Sequence, residues 1–377
     1  MRSLIDVTTW IPARSGIGLY TERLLRAWAD QYPDDEFLFA SNLVKDDAAL
    51  PGRQVTRVGP VMPSRALWMQ TALPLQVGRL RPDVAFYPNY LAPIVNVGAV
   101  PRVVTVHDMA VFLHPQTFTW KKRVLQRRLL PALLTTVQGI ITPSESTRRD
   151  LLRLIPNIDP RRVASVALAA DPACHLPVSD EQVRQVQRRY DLPQRYLLAV
   201  GTLEPRKNLV RLIEAFELVW PNAKDVKLIL VGGKGWRDGA IADALKHSSA
   251  REGIDALGYV SFDDLRALYR GATAMCYPSL YEGFGLPVIE AMACGAPVLT
   301  SHGSSLDEVA AGAALQIDPL DVQAIASGLQ TLLLDNDERN RLAEAGQRRA
   351  GQLSWQQTAS TTRQILQRVA EGELPNP

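Results

Sequence analysis

The sequence predicts an α/β protein of two doubly wound domains facing across a cleft. Three observations predict it. The chain has 377 residues, more than one ordinary core takes up and enough for two domains of about 150 to 200 residues. Strand-like apolar runs alternate with helical stretches almost throughout, the pattern of parallel sheets joined by crossover helices. That alternation breaks at 171–193, where Asp171-Pro172, Pro177, a charged helical stretch and Asp191-Leu192-Pro193 follow one another. Such a composition marks a domain boundary. We expect one domain over 1–178, a second over 179–354, and a last helix over 355–377 that crosses back to the first.

In the first domain Leu4-Ile5-Asp6-Val7 is the opening strand. A loop with Gly16 and Gly18 follows, then a helix carrying Tyr20, Leu24, Leu25 and Trp28 on one stripe. Val84–Phe86, Val103–Val106, Gly139–Ile141 and Val163–Val166 are short β-type runs. Ser144-Glu-Ser-Thr147 reads as a helix start, with Thr147 where a full capping box has Glu. The second domain opens on the strand Tyr196–Val200, and its first helix carries Leu209, Leu212, Ile213, Phe216 and Val219 at helical spacing. Strands are expected at 226–231, 254–260, 273–277 and 297–300, and helices near 262–270 and 286–294. Residues 321–372 read as three consecutive helices, the last opened by Trp355. No repeat of about 20 to 50 residues and no low-complexity tract interrupts this order.

Composition removes several classes. Hydrophobic residues make up 46% and charged residues 21%, which excludes disorder, collagen and coiled coil as the main architecture. No apolar run reaches the roughly 18 residues of a membrane span. Met1-Arg2 leads straight into the first strand without an apolar leader, so no secretory signal is expected. Three cysteines, Cys174, Cys276 and Cys294, give no disulfide framework, and a reducing, cytoplasmic setting is the expectation. The net charge of +3 is too small to point to nucleic acid. Its distribution is uneven. Residues 120–162 hold Lys121, Lys122, Arg123, Arg127, Arg128, Arg148, Arg149, Arg153, Arg161 and Arg162, against only Glu145, Asp150 and Asp159. Such a segment is either a solvated face or a contact for an anionic surface.

In doubly wound sheets ligands bind beyond the carboxyl ends of the strands, so loops after strands carry the chemistry. The strongest pattern is Glu282-Gly-Phe-Gly-Leu-Pro-Val-Ile-Glu290. Gly283 and Gly285 let backbone approach a ligand closely. Pro287 suits a first helical turn. The helix start offers the N–H groups of Gly285 and Leu286 to an anion. Glu282 and Glu290 can accept hydrogen bonds from vicinal hydroxyls, so a sugar with a phosphate between them fits. The second pattern, Gly201-Thr-Leu-Glu204-Pro-Arg206-Lys207-Asn208, follows a strand and opens a helix. Arg206 offers a bidentate fork and Lys207 a point charge, enough to stabilise a leaving diphosphate without a metal. A third, Arg14-Ser15-Gly16-Ile17-Gly18-Leu19-Tyr20, lacks the last glycine of the dinucleotide fingerprint. It is either a plain tight turn or a loop that admits a phosphate or acceptor. His107-Asp108 ends a strand and either orients a substrate, takes up a proton, or is structural. Val231-Gly232-Gly233-Lys234-Gly235 lacks the spacing of a nucleotide-triphosphate loop. The histidines 107, 114, 175, 247 and 302 are scattered, and no metal site or hydrolase triad emerges.

Glu282-x7-Glu290 preceded by Pro278-Ser279-Leu280-Tyr281, the Glu204–Asn208 run and the Gly16-x-Gly18 loop together resemble the retaining glycosyltransferases of family 4. Gly16–Tyr20 followed by Thr-Glu-Arg-Leu-Leu, with Val104-Thr-Val-His107-Asp108, is similar to bacterial O-antigen and capsule mannosyltransferases and to enzymes that add D-rhamnose from a GDP donor. The resemblance implies the GT-B architecture of two Rossmann-like domains. The first, 1–178, would bind the acceptor and the second, 179–354, the nucleotide-sugar donor. It implies that Arg206 and Lys207 hold the diphosphate and Glu290 the ribose hydroxyls. Glu282, with backbone N–H groups around Gly283, Phe284, Gly285 and Leu286, would meet sugar and phosphate. Gly16 and Gly18 would border phosphate and acceptor, His107 would face the reacting sugar, and backbone at Tyr259 and Val260 would hold the base. The acidic residue that some relatives place before the first-domain loop has no match. The implied enzyme is a retaining, metal-independent hexosyltransferase without a cofactor, moving mannose or D-rhamnose to a lipid-linked or oligosaccharide acceptor. It would work in the cytoplasm, at the inner face of the membrane, which residues 121–162 would contact. A UDP-sugar transferase of the same fold, or a nucleotide-sugar epimerase, is the competing expectation.

Overall fold

A computed structural model of the chain describes residues 1–10, 16–42, 50–52, 54–58, 62–233, 235 and 239–375, with backbone alone at 54–58, 121, 122 and 125. The predicted Arg14, Ser15 and Lys234 and the side chains of Lys121 and Lys122 lie outside the described residues.

The chain forms two parallel sheets. The first comprises β1 (Arg2–Asp6), β2 (Glu36–Ala40), β3 (Gln54–Val58), β4 (Val84–Tyr87), β5 (Arg102–Thr105), β6 (Gly139–Thr142) and β7 (Val163–Ser165). Their order is β3-β2-β1-β4-β5-β6-β7. The second comprises β8 (Arg195–Val200), β9 (Val226–Val231), β10 (Ile254–Gly258), β11 (Ala274–Tyr277), β12 (Val298–Ser301) and β13 (Leu315–Ile317), in the order β10-β9-β8-β11-β12-β13. Both sheets are doubly wound, and in each the direction of winding reverses beside the first strand of that sheet. The reversals fall between β1 and β4 and between β8 and β11, and crevices for ligands open at such points. Central strands are buried on both faces, which is why they read as unbroken apolar runs.

β2, β3 and β13 were not among the expected strands, and β10 stops at Gly258 rather than at 260. Gly258 adopts φ 71° and turns the chain out of the sheet. A proline normally interrupts a helix, yet the helix Trp120–Leu134 runs through Pro131. Leu130, Leu133 and Leu134 are buried around the proline, and their packing offsets the lost backbone bond.

The chain divides into two compact units. One contains Met1–Phe112, Trp120–Leu168 and Ser354–Pro377, and the other Leu113–Thr119 and Ala169–Leu353. The passage between them comes at Leu168, earlier than 178, because the turn Pro172–His175 already packs on the helix Leu286–Ala293 and buries Cys174 there. The helix Trp355–Ala370 packs on the helix Gly16–Gln31 of the first unit. Trp355, Ala359, Leu366 and Val369 are buried in this unit. The Thr358 hydroxyl donates to the Ala167 carbonyl at 2.7 Å. Arg363 meets Asp35 with two N–H bonds of 2.7 and 3.0 Å. Among the described residues no helix is long and apolar enough to cross a membrane.

Candidate active site

Two loops at the winding reversal of the second sheet build a buried cluster of charge. The loop after β8 runs through Gly201 to a tight turn, Pro205–Lys207, and the loop after β11 runs from Pro278 to Gly285. Asn208 joins them. At φ 60° it precedes the helix Leu209–Val219, and its side-chain amide donates to the carbonyls of Pro278 (3.0 Å) and Pro319 (2.6 Å). The Leu280 N–H donates to the Arg206 carbonyl at 2.9 Å. Adjacent strands β8 and β11 thus bring Arg206, Lys207 and Glu282 together although some 75 residues separate them.

Arg206 lies 2.6 Å from Glu204, 2.6 Å from the second carboxylate oxygen of Glu282, and donates to the Tyr281 carbonyl at 2.6 Å. Lys207 Nζ lies 2.8 Å from Glu282 Oε1 and donates to the Tyr277 hydroxyl at 2.5 Å. That hydroxyl donates on to Glu282 Oε1 at 3.1 Å. Two cations and two carboxylates sum to no formal charge, which is how the cluster tolerates burial. Burial by itself would raise the Glu282 pKa, but Arg206 and then Lys207 outweigh it and hold the carboxyl at about 2. Burial lowers the Lys207 pKa, and Glu282 opposes this. The Tyr277 hydroxyl is pushed up, by burial first and by the Glu282 charge second.

Beside the cluster, the Ser305 hydroxyl donates to the carbonyls of Glu282 (2.9 Å) and Phe284 (3.0 Å). This turns the loop so that, among the described residues, the N–H groups of Phe284, Gly285 and Leu286 have no hydrogen-bond partner. Gly285 adopts φ 103° and begins the helix Leu286–Ala293, with Pro287 in its first turn. Three open donors at a helix N-terminus are the kind of group that can take an anion. Gly283 lies in the same loop. Glu290 is buried inside the helix, where its charge reaches Tyr269 and helps burial push that phenol up. Tyr259 and Val260 follow β10, two strands from β8. The Tyr259 side chain is 87% exposed and Val260 is buried.

In the first unit, His107 follows β5 and is half-buried. Its Nε2 lies 2.8 Å from the Pro88 carbonyl. A carbonyl only accepts, so Nε2 carries the proton and Nδ1 presents a lone pair. Burial lowers its pKa. Tyr20 meets the ring edge-on at 4.8 Å. Gly16 starts the helix Gly16–Gln31 with open space where a Cβ would stand, and Gly18 is buried in its first turn.

The sequence profile of the Glycosyl transferases group 1 matches residues 180–349, and that of Glycosyltransferase Family 4 matches residues 14–173. O-antigen chain mannosyltransferase B of Escherichia coli is 35% identical over 69% of this chain and 68% of its own length. This chain belongs to the family 4 glycosyltransferases.

Serotype-specific mannosyltransferase WbdA of Escherichia coli is 26% identical over 77% of the glycosyltransferase, which spans 37% of that longer protein. The solved structure of WaaG, a glycosyltransferase involved in lipopolysaccharide biosynthesis, superposes with a TM-score of 0.76 at 15% identity, covering 97% of this chain and 99% of the other. Sucrose-phosphate synthase from Thermosynechococcus elongatus gives 0.78 at 18% identity, over 99% and 100%. These likenesses establish the GT-B fold.

Sequence reasoning brought forward Arg206, Lys207 and Glu282, which the glycosyltransferase places in one network. It missed Tyr277, Ser305 and the pairing of Glu204 with Arg206. Tyr277 was legible only as the end of a strand. Ser305 carries no signal, since its role is to hold the carbonyls of Glu282 and Phe284, 23 and 21 residues away in sequence.

Proposed function

We propose that this glycosyltransferase moves mannose or D-rhamnose from a GDP-sugar to a lipid-linked or oligosaccharide acceptor in O-antigen-type polysaccharide biosynthesis, with retention of configuration and without a metal. The buried Arg206–Lys207–Glu282 cluster beside the free N–H groups of 284–286 carries the reading. The relatives' names, which are those of mannosyltransferases, support mannose.

In this reading Arg206, Lys207 and the helix-end N–H groups take the diphosphate, where preorganised donors meet charge as it develops. The bond from C1 to the diphosphate oxygen breaks, and the acceptor oxygen bonds C1 from the same face. Its proton passes to a phosphate oxygen, so no enzyme nucleophile is needed. Glu282, ionised at any working pH, accepts from sugar hydroxyls and does not shuttle protons. Nδ1 of His107 likewise faces the sugar as an acceptor. Glu290 takes the ribose, and the chain at Tyr259 and Val260 takes the base.

A thermal-shift panel with GDP, UDP, dTDP and ADP, each with and without EDTA, tests the donor. A ligand at 100 times its dissociation constant stabilises by about 2.7 kcal/mol. A shift with GDP alone, unchanged by EDTA, is expected. A shift with UDP alone discards the donor, and EDTA sensitivity discards metal independence.

We also propose that the protein works at the inner face of the cytoplasmic membrane, held by anionic lipid through residues 121–162. Within that stretch Arg148, Arg153 and Arg161 are paired with Glu145, Asp150 and Asp159. The helix Trp120–Leu134 therefore carries the contact, with exposed Arg127 and Arg128 beside exposed Trp120, Val124 and Leu129. Each cation near such a surface contributes ~1 kcal/mol. Sedimentation with liposomes should favour anionic over zwitterionic lipid. Equal binding to both removes the idea.

A further inference from the structure

The segment Leu113–Thr119 lies between two stretches of the first unit, yet it belongs to the second. It carries His114 to the charged cluster. The imidazole stands 5.7 Å from the Tyr281 ring, tilted by 36°. The Tyr281 carbonyl is the one that Arg206 holds at 2.6 Å. The turn that carries it is closed locally, because the His114 carbonyl accepts from the Thr117 N–H (3.0 Å) and the Thr117 hydroxyl (2.8 Å). Thr117 and Phe118 are buried. Among the described residues neither ring nitrogen of His114 has a hydrogen-bond partner. A half-buried imidazole packed near Tyr281 and within reach of the Arg206 charge, with both nitrogens open, is placed to bind something from solution.

We propose that His114 is a further ligand of the donor diphosphate and takes up a proton when that anion binds. The inference rests on the reading of Arg206 and Lys207 as the diphosphate site. Arg206 is the charged group that acts on the ring, and the rest of the cluster is neutralised internally: Glu204 and Glu282 bond Arg206, and Lys207 bonds Glu282. The ring packed against it is that of Tyr281, and Gln116 and Thr117 on its own segment carry no charge. In the free protein burial first, and Arg206 second, lower the His114 pKa and so favour the neutral ring. A diphosphate reverses that balance, since it brings negative charge to the place where Arg206 repels the imidazolium. The proton comes from solvent on binding and returns to it when the nucleoside diphosphate leaves.

The test is calorimetric titration of the full-length protein with GDP-mannose, whose diphosphate diester does not itself titrate near neutrality, with UDP-glucose as a parallel probe. Titrations in buffers of different ionisation enthalpy count the protons. For the wild type we expect net proton uptake and an affinity that falls about tenfold between about pH 6 and 8. His114→Phe keeps a ring against Tyr281 and removes the nitrogens. It should melt like the wild type, match its affinity near pH 8, and show no uptake and a flat profile. His114→Asn, which bonds without charging, should be equally flat. A His114→Phe protein that keeps the wild-type slope overturns the proposal and leaves the diphosphate site standing, provided Arg206→Ala abolishes binding. If neither sugar nucleotide binds the wild type, the reading of the site falls and this proposal falls with it.

Discussion

Glu282 is a carboxylate that never acts as an acid. At about 2 its pKa lies far below working pH, so the pH–rate profile owes nothing to it. Its value lies in matching Arg206 and Lys207. Glu282→Gln keeps the shape and leaves two buried cations with one carboxylate between them. Removing one partner of a buried pair costs about 3 to 5 kcal/mol, which urea denaturation of the free protein should show at neutral pH. The sign is fixed by the depressed pKa. The stabilisation is complete above the unfolded value of 4.5 and is lost as pH falls through it towards 2. Wild type and variant should converge on acidification. Arg206→Ala should lower turnover about 100-fold, roughly 3 kcal/mol of transition-state stabilisation. Near-normal turnover of folded protein would falsify its assignment to the diphosphate. Both residues were legible because each sits in a glycine- or proline-marked run after a strand. Tyr277 and His114 were not, since their contacts with Lys207 and Tyr281 span 70 residues or more and no spacing encodes them.

The loops that hold these residues depend on how closely strands approach at their ends. Gly232 follows β9 at φ 148°, and a Cβ there would stand 2.0 Å from the Gly201 carbonyl oxygen. Backbone cannot yield to that, so Gly232→Ala should distort the loop before Arg206 and cost about 3 kcal/mol or more. Gly258 also has a positive φ, 71°, but a Cβ there meets open space. Gly258→Ala should cost only the conformational penalty of about 1 to 2 kcal/mol. Melting temperatures of the two variants check the ranking, and equal losses would show that φ alone sets the cost. The sequence marked Gly232 only as part of a glycine-rich strand end, because its constraint comes from another strand's carbonyl. The same reason accounts for the strands that escaped notice. β3 reads Gln-Val-Thr-Arg-Val and β13 Leu-Gln-Ile. Short mixed runs become strands because a neighbour, β2 or β12, offers a free edge. The helix through Pro131 is the converse case, where buried leucines override a strong local breaker.

At the scale of the whole molecule, the chain leaves its first unit and later returns to finish it. Asp35 shows how firmly. Burial would raise its pKa, but Arg363 from the C-terminal helix, the Met1 ammonium and the Trp28 indole hold it at about 2. Arg363→Ala should cost on the order of 1 to 2 kcal/mol at neutral pH, allowing for solvent around the pair. The loss should fade as pH falls through 3.8, the unfolded value, towards 2. The ion pair is the smaller part of the latch. Trp355, Ile365, Leu366 and Val369 are buried on that helix, and each such side chain is worth about 1.5 to 3 kcal/mol. Their sum is comparable with the 5–15 kcal/mol that typically keeps a domain folded. A fragment of residues 1–168 should therefore lack a cooperative melt, even though it contains the seven described strands of its sheet. The same fragment joined through a flexible linker to residues 354–377 should recover one. Should 1–168 melt cooperatively by itself near the temperature of the linked form, the helix would be an appendage to a finished domain. The discontinuous division of the chain would then be a matter of contact and not of stability.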